Sequence, residues 1–183
     1  MKIAFIGTHG VGKTTLCYEL AAALKRLDLS VDLVKEVARR CPLPINRETT
    51  VPAQEWILHT QVAEEIHLAT AYDAIVCDRS VLDNYAYLVH AAGPREDLEP
   101  FLRRWIATYA LIVKVPVVTP PRFDGTRDVS IPWQIAIDRQ IDGLLRQFDT
   151  PHLKLPADDR TAWVPRVLER LSLPRRAPQL DLF

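Results

Sequence analysis

Short runs in which every position is apolar alternate along this chain with longer stretches in which apolar residues recur every three or four. Ile3 to Ile6 is the first such run, closed by Gly7, the pattern of a strand buried on both faces. Leu16, Leu20, Ala23, Leu24 and Leu27 follow at helical spacing. A second apolar stretch, Val31 to Val37, precedes a proline-containing loop from Cys41 to Val51, and Pro52 stands where a first helical turn tolerates proline, so a long helix is expected from about Ala53 to Ala71. Ala74 to Cys77 is another buried run, ended by Asp78. Leu82, Tyr85, Ala86 and Val89 then mark one face of a helix that stops before Gly93-Pro94.

The alternation continues with a helix over Leu98 to Thr108, a strand over Leu111 to Val115, and a loop from Pro116 to Pro132. Loops longer than roughly 12 to 15 residues in a compact domain commonly serve as lids or lack order. Trp133, Ile137, Ile141, Leu144, Leu145 and Phe148 outline an amphipathic helix, followed by a short strand at His152 to Leu155 and a last helix near Asp159 to Leu171. Repeated β-α units of this length predict an α/β fold with about five strands in a mainly parallel sheet, helices on both faces and a lid loop. The domain is expected over residues 1–172, with residues 173–183 as a tail. A chain of 183 residues suits one such core.

Composition narrows the function classes. Lysine plus arginine and aspartate plus glutamate both number 23, so no global positive field draws the protein onto nucleic acid or anionic lipid, and phosphate binding must be local. Cys17, Cys41 and Cys77 are odd in number and lack C-x-x-C spacing, which argues against a disulfide framework or a zinc site and fits a reducing cytoplasm. The N-terminal run is too short for a signal peptide or a membrane span.

Gly7-Thr8-His9-Gly10-Val11-Gly12-Lys13-Thr14 satisfies G-x-x-x-x-G-K-[ST] between a strand and a helix, the context that gives the motif its meaning. Its glycines let successive backbone N–H groups turn inward around a phosphate, and the helix N-terminus adds its positive end. Lys13 would reach the β- and γ-phosphates and Thr14 would give its hydroxyl to Mg²⁺. Thr15 continues the phosphate-binding segment, and His9 lines the pocket. Asp78 ends its apolar run where it can meet the Mg²⁺ shell if its strand lies beside the first; the plainer reading makes it a helix N-cap. Arg79 and Ser80 follow in place of the glutamate that activates water in many ATPases, so no hydrolytic base is evident. No Asn-Lys-x-Asp occurs, which favours ATP over GTP.

With these segments in view, Gly7 to Thr15 together with Asp78-Arg79-Ser80 resembles the P-loop kinases of nucleosides and nucleotides, thymidylate and deoxynucleoside kinases among them. Glu36-Val37-Ala38-Arg39 is similar to the Glu-x-Ala-Arg of ribosylnicotinamide kinase domains and of related small AAA-like ATP-binding proteins. The resemblance implies a P-loop NTPase fold and ATP-dependent phosphoryl transfer to a small nucleoside-like acceptor. It also implies Glu36 or Asp78 as the base that takes the acceptor's proton, and Arg79 as a phosphate grip. The alternative reading of Glu36 and Arg39 is a plain helix-spaced ion pair. Arg122, Asp124, Gly125 and Arg127 fall in the proline-rich loop where such kinases carry a lid, and Arg139 could reach back from the following helix. Trp56, Gln61, Asn84 and Tyr85 lie on helices that wall the acceptor site in such kinases, with core packing as the alternative for Trp56 and Tyr85.

Two rival functions stay open: a nucleotide-binding switch without an acceptor, and a kinase of polynucleotide 5′ ends. The segment Gln179-Leu180-Asp181-Leu182-Phe183 resembles the peptide that binds the bacterial DNA sliding clamp, with Leu182 and Phe183 as apolar anchors. The alternative is that Leu180, Leu182 and Phe183 fold back onto the domain.

Overall fold

Each apolar run forms a strand of one sheet because its alternate residues meet helices on opposite faces. A computed structural model describes residues 1–118 and 130–175. Strands β1 (Lys2–Ile6), β2 (Val31–Val34), β3 (Ala74–Asp78), β4 (Leu111–Lys114) and β5 (Leu153–Lys154) pair in the order β2-β3-β1-β4-β5. All four pairings are parallel, with Phe5 opposite Asp78 and Ile6 opposite Lys114. The described helices are α1 (Lys13–Lys25), α2 (Val51–Ala69), α3 (Val81–Ala92), α4 (Glu99–Ile106), α5 (Ile131–Gln147) and α6 (Trp163–Arg170). The expected α/β fold with five parallel strands is thus the observed one.

Ile3, Phe5, Val76 and Val113 face α1 and α6 in one core layer, while Ala4, Ile6, Ile75, Cys77 and Ile112 face the helices α2 to α5 in the other. A strand sandwiched in this way has no polar face, which is why its sequence reads as an unbroken apolar run. Leu171 and Leu173 pack against the α1 side, so the chain still belongs to the core at residue 173.

Helix ends depart from the sequence expectation where a side chain takes over a backbone bond. Helix α5 starts at Ile131, inside the expected loop, because Ser130 Oγ accepts from Trp133 N at 3.4 Å and Pro132 is tolerated in the first turn. Thr50 does the same for α2, which begins at Val51. Conversely α6 begins at Trp163 rather than Asp159, because Asp159 Oδ1 accepts from Thr161 N at 3.0 Å and Ala162 N at 3.3 Å and bends the chain into a turn. All three cysteines are free thiols. Among the described residues no helix is long and apolar enough to cross a membrane.

Candidate active site

The segment from Gly7 to Thr14 joins β1 to α1 at the carboxyl end of the sheet. Gly7 leaves the strand at φ +142°, and a Cβ there would lie 2.9 Å from the Val115 carbonyl oxygen on β4's continuation, so the turn excludes a side chain. Gly12 occupies the N-cap of α1 in left-handed conformation, and neither a side-chain cap nor an acidic residue serves the first turn of α1. The end of this helix is therefore a ready anion site. Lys13 is buried and its Nζ donates to Gly7 O at 2.8 Å and Thr8 O at 2.7 Å. Burial, then repulsion from Arg79, brings its pKa down to about 8 against the pull of Asp83 and Asp78. Thr15 is exposed on α1. His9 is buried against Trp133, with ring centroids 4.9 Å apart, and its carbonyl accepts from Gln134 Nε2 at 3.0 Å. Helix α5 is thereby fastened to the phosphate loop.

The structure brings Asp78 to Thr14. Because β3 lies beside β1, Thr14 Oγ1 donates to Asp78 Oδ2 at 2.5 Å. The other carboxylate oxygen, Oδ1, is buried without a hydrogen-bond partner. Burial raises the Asp78 pKa, with Lys13 opposing and Glu36 adding to the rise. A buried carboxylate with an orphaned oxygen next to a hydroxyl suits a hard divalent cation with oxygen ligands. Among the described residues there is no group of three or more His, Cys, Asp or Glu that would hold a metal by protein atoms alone. Mg²⁺ fits this arrangement because it keeps several waters and takes only one or two protein carboxylates beside phosphate oxygens. Asp78 is not the helix cap: Ser80 Oγ accepts from Leu82 N at 3.1 Å and Asp83 N at 3.4 Å.

Beside the loop opens a pocket lined by His9, Glu36, Gln54, Arg79, Asn84 and Tyr87, among others. Glu36 follows β2, and its Oε1 accepts from Arg79 Nε at 2.9 Å and Arg79 Nη2 at 2.8 Å. Its Oε2 accepts from Arg39 Nε at 2.8 Å, so the helix-spaced pair exists, alongside a longer-range one. Burial pushes the Glu36 pKa up, but the charges of Arg79 and Lys13 and the bonds from Arg79 outweigh it and hold the group well below the usual carboxylate range. Arg79 stands at φ +91°, a conformation that costs a non-glycine residue of order 1–3 kcal/mol and is concentrated at functional sites. Its guanidinium lies 4.8 Å from the centre of the Tyr87 ring, and Nη1 has no hydrogen-bond partner.

Some residues fall elsewhere than the sequence suggests. Asn84 lines the pocket, but the aromatic on its wall is Tyr87, one helical turn on, and not Tyr85. Tyr85 is fully buried on the opposite side of α3, stacked on Phe148 with centroids 6.1 Å apart, which is the packing role. Gln61 is fully buried and does not line the pocket; its Nε2 donates to Arg79 O at 3.3 Å and Glu65 Oε1 at 2.9 Å. Trp56 is half-buried on α2 and does not line the pocket, and Arg139 is exposed. Arg122, Asp124, Gly125 and Arg127 lie outside the described residues, as does the segment Gln179 to Phe183. Asp83 escaped the sequence reading altogether. It is completely buried between Gly7 and Arg79, and the signal for it was the polar face Asp83, Asn84, Tyr87 opposite the apolar one.

A glycine-rich phosphate loop on the first strand of a parallel sheet in this order, with an aspartate ending the neighbouring strand, defines a P-loop α/β nucleotide-binding protein. Residues 2–162 match the family described as an AAA domain, and the chain belongs to that family. No curated protein matches the sequence significantly. Among solved structures, deoxyadenosine kinase from M. mycoides with bound dATP superposes with a TM-score of 0.69 at 17% identity, covering 94% of this chain and 99% of that one. Thymidylate kinase from Ehrlichia chaffeensis superposes with a TM-score of 0.67 at 16% identity, covering 93% and 98% respectively. The fold is that of the P-loop nucleoside and nucleotide kinases.

Proposed function

We propose that this protein transfers the γ-phosphoryl group of ATP to a hydroxyl or phosphate of a small nucleoside-like acceptor. The observation that carries the reading is the pocket that opens beside the phosphate loop, with a carboxylate, an arginine, an aromatic ring and amides on its walls. A nucleotide switch needs no such second compartment. Two solved structures that share the fold are kinases of deoxyadenosine and of thymidylate, which supports an acceptor of that chemical class.

In this mechanism the loop amides from Gly7 to Thr15 and the end of α1 take the phosphates. Lys13 exchanges the Gly7 and Thr8 carbonyls for β- and γ-phosphate oxygens, a move that also restores its full charge. Thr14 and Asp78 would hold Mg²⁺, which when bound neutralises charge on the phosphate oxygens. Arg79 would donate to the moving phosphoryl group from Nη1, which has an ion-pair contact with Asp83 at 3.8 Å but no hydrogen bond, and Arg122 and Arg127 are proposed to add positive charge from the segment before α5. Glu36 faces the pocket and is proposed to take the acceptor's proton; a weak base suffices because the loose transition state demands little deprotonation early. Tyr87, Asn84 and Gln54 supply the stacking surface and directional bonds that a heterocycle requires.

Labelled ATP offered with nucleosides, nucleotides, nicotinamide riboside and, separately, oligonucleotide 5′ ends tests the reading. The expected outcome is ADP release that depends on one class of small acceptor. Release indifferent to every acceptor would make the protein a switch or accessory ATPase, and labelling of oligonucleotides alone would make it an end kinase.

A further inference from the structure

Asp83 is the third residue of α3, where an acidic side chain ordinarily folds back to cap its own helix. Here Ser80 performs the capping, and the Asp83 carboxylate points the other way. Oδ1 accepts from Gly7 N at 3.4 Å, and Oδ2 stands 3.8 Å from Arg79 Nη1. Neither Oδ2 nor Nη1 has a hydrogen-bond partner, and both residues are buried. A buried carboxylate so loosely satisfied is costly to the fold, so its placement calls for a reason other than stability.

We infer that Asp83 is a positioning residue for phosphoryl transfer: its carboxylate ties the first amide of the phosphate loop to the guanidinium of Arg79 and sets where Arg79 aims. The inference rests on the kinase reading of this site. Arg79 hangs between two carboxylates, with Nε and Nη2 on Glu36 at the acceptor pocket and Nη1 turned to Asp83 at the phosphate loop. The Tyr87 ring closes a third side. A guanidinium hydrogen-bonded to Glu36 on one side and drawn electrostatically toward Asp83 on the other is biased in direction along the line from acceptor to phosphate, which Glu36 by itself would not achieve. Preorganised charge of this kind stabilises a transition state without reorganising at the moment of reaction.

The groups facing Asp83 are Lys13 from α1, Arg79 before α3, Lys114 from β4 and the Tyr87 phenol on α3. Lys114 is itself paired with Asp138 at 2.7 Å and Asp142 at 3.2 Å on α5. Burial pushes the Asp83 pKa up to about 6 in spite of the three cations. The tie to Arg79 should therefore loosen as pH falls through that value, while Glu36, held far lower, stays ionised.

Two measurements on the full chain test this. In the arginine side-chain NMR spectrum, the Arg79 Nε–H signal should shift as pH crosses about 6 in the wild type and lose that step in Asp83→Asn. In turnover, Asp83→Asn keeps an acceptor for Gly7 N but loses the charge toward Arg79. We expect kcat to fall at least about tenfold with KM for ATP within about threefold, and the acidic limb of the kcat profile near pH 6 to vanish. A wild-type Arg79 signal without that step, or an Asp83→Asn variant with unchanged kcat and profile, overturns the inference. If the wild type shows no acceptor-dependent turnover, the kinase reading fails, and the NMR titration still decides whether Asp83 holds Arg79. That titration needs no variant, so a substitution that does not fold leaves it standing.

Discussion

Lys13 shows how a single side chain can be held by the carbonyls of its own loop. Its ammonium rests on the Gly7 and Thr8 carbonyls, buried and with its pKa lowered to about 8. A phosphate ligand needs the charged form, so the ATP affinity of the free protein should decline as pH rises through about 8, measurable by calorimetry between pH 7 and 9. Lys13→Met should lower turnover at least about a hundredfold while the thermal transition remains cooperative. Asp83 carries the opposite sign. Its folded pKa lies above the ordinary 3.8, so its contribution to stability is fully present below that value and is lost as pH rises through about 6. Asp83→Asn should therefore be more stable than the wild type at pH 7.5, by at most about 3 kcal/mol, and the two should converge near pH 4 in urea melts. Whether Lys13 would matter was plain from its place in the motif. Asp83 was not, since an aspartate in a first helical turn has a commonplace explanation in the helix dipole.

At the scale of elements, the β1–α1 junction is the most constrained. Gly7→Ala would set a Cβ 2.9 Å from a backbone oxygen of the neighbouring strand at a φ of +142°, and neither can yield cheaply. We expect a loss of about 2 kcal/mol or more in stability, read from denaturant midpoints, together with loss of nucleotide binding. Gly12→Ala should cost less, because the atom it meets at 2.7 Å is the end of the flexible Arg160 side chain, although its φ of +90° still strains it. The strands and helices were legible because burial on both faces and helical periodicity leave different imprints. Helix starts were less so, since Ser130 and Asp159 each have a hydroxyl or carboxylate able to cap or to turn, and only the geometry of the neighbouring amides decides which.

For the whole molecule, the strand order does what no single segment can. Placing β3 between β2 and β1 brings Glu36, Asp78 and the phosphate loop to one end of the sheet within hydrogen-bonding reach of Arg79 and Thr14. Leu171 and Leu173 belong to the core layer that holds α1 in place. A chain ended after Arg170 should therefore melt several degrees earlier than one ended after Arg175, as differential scanning calorimetry would register. By itself the sequence determined the phosphate loop, the α/β class and the candidate chemistry of Lys13, Thr14 and Asp78, because a loop of eight consecutive residues and an apolar run carry their geometry locally. Only the tertiary structure decided that Glu36 is bound to Arg79, that Tyr87 and not Tyr85 faces the pocket, and that Asp83 is buried between Gly7 and Arg79. Those relations join residues up to 76 positions apart, and their energies depend on burial and on which strands lie side by side.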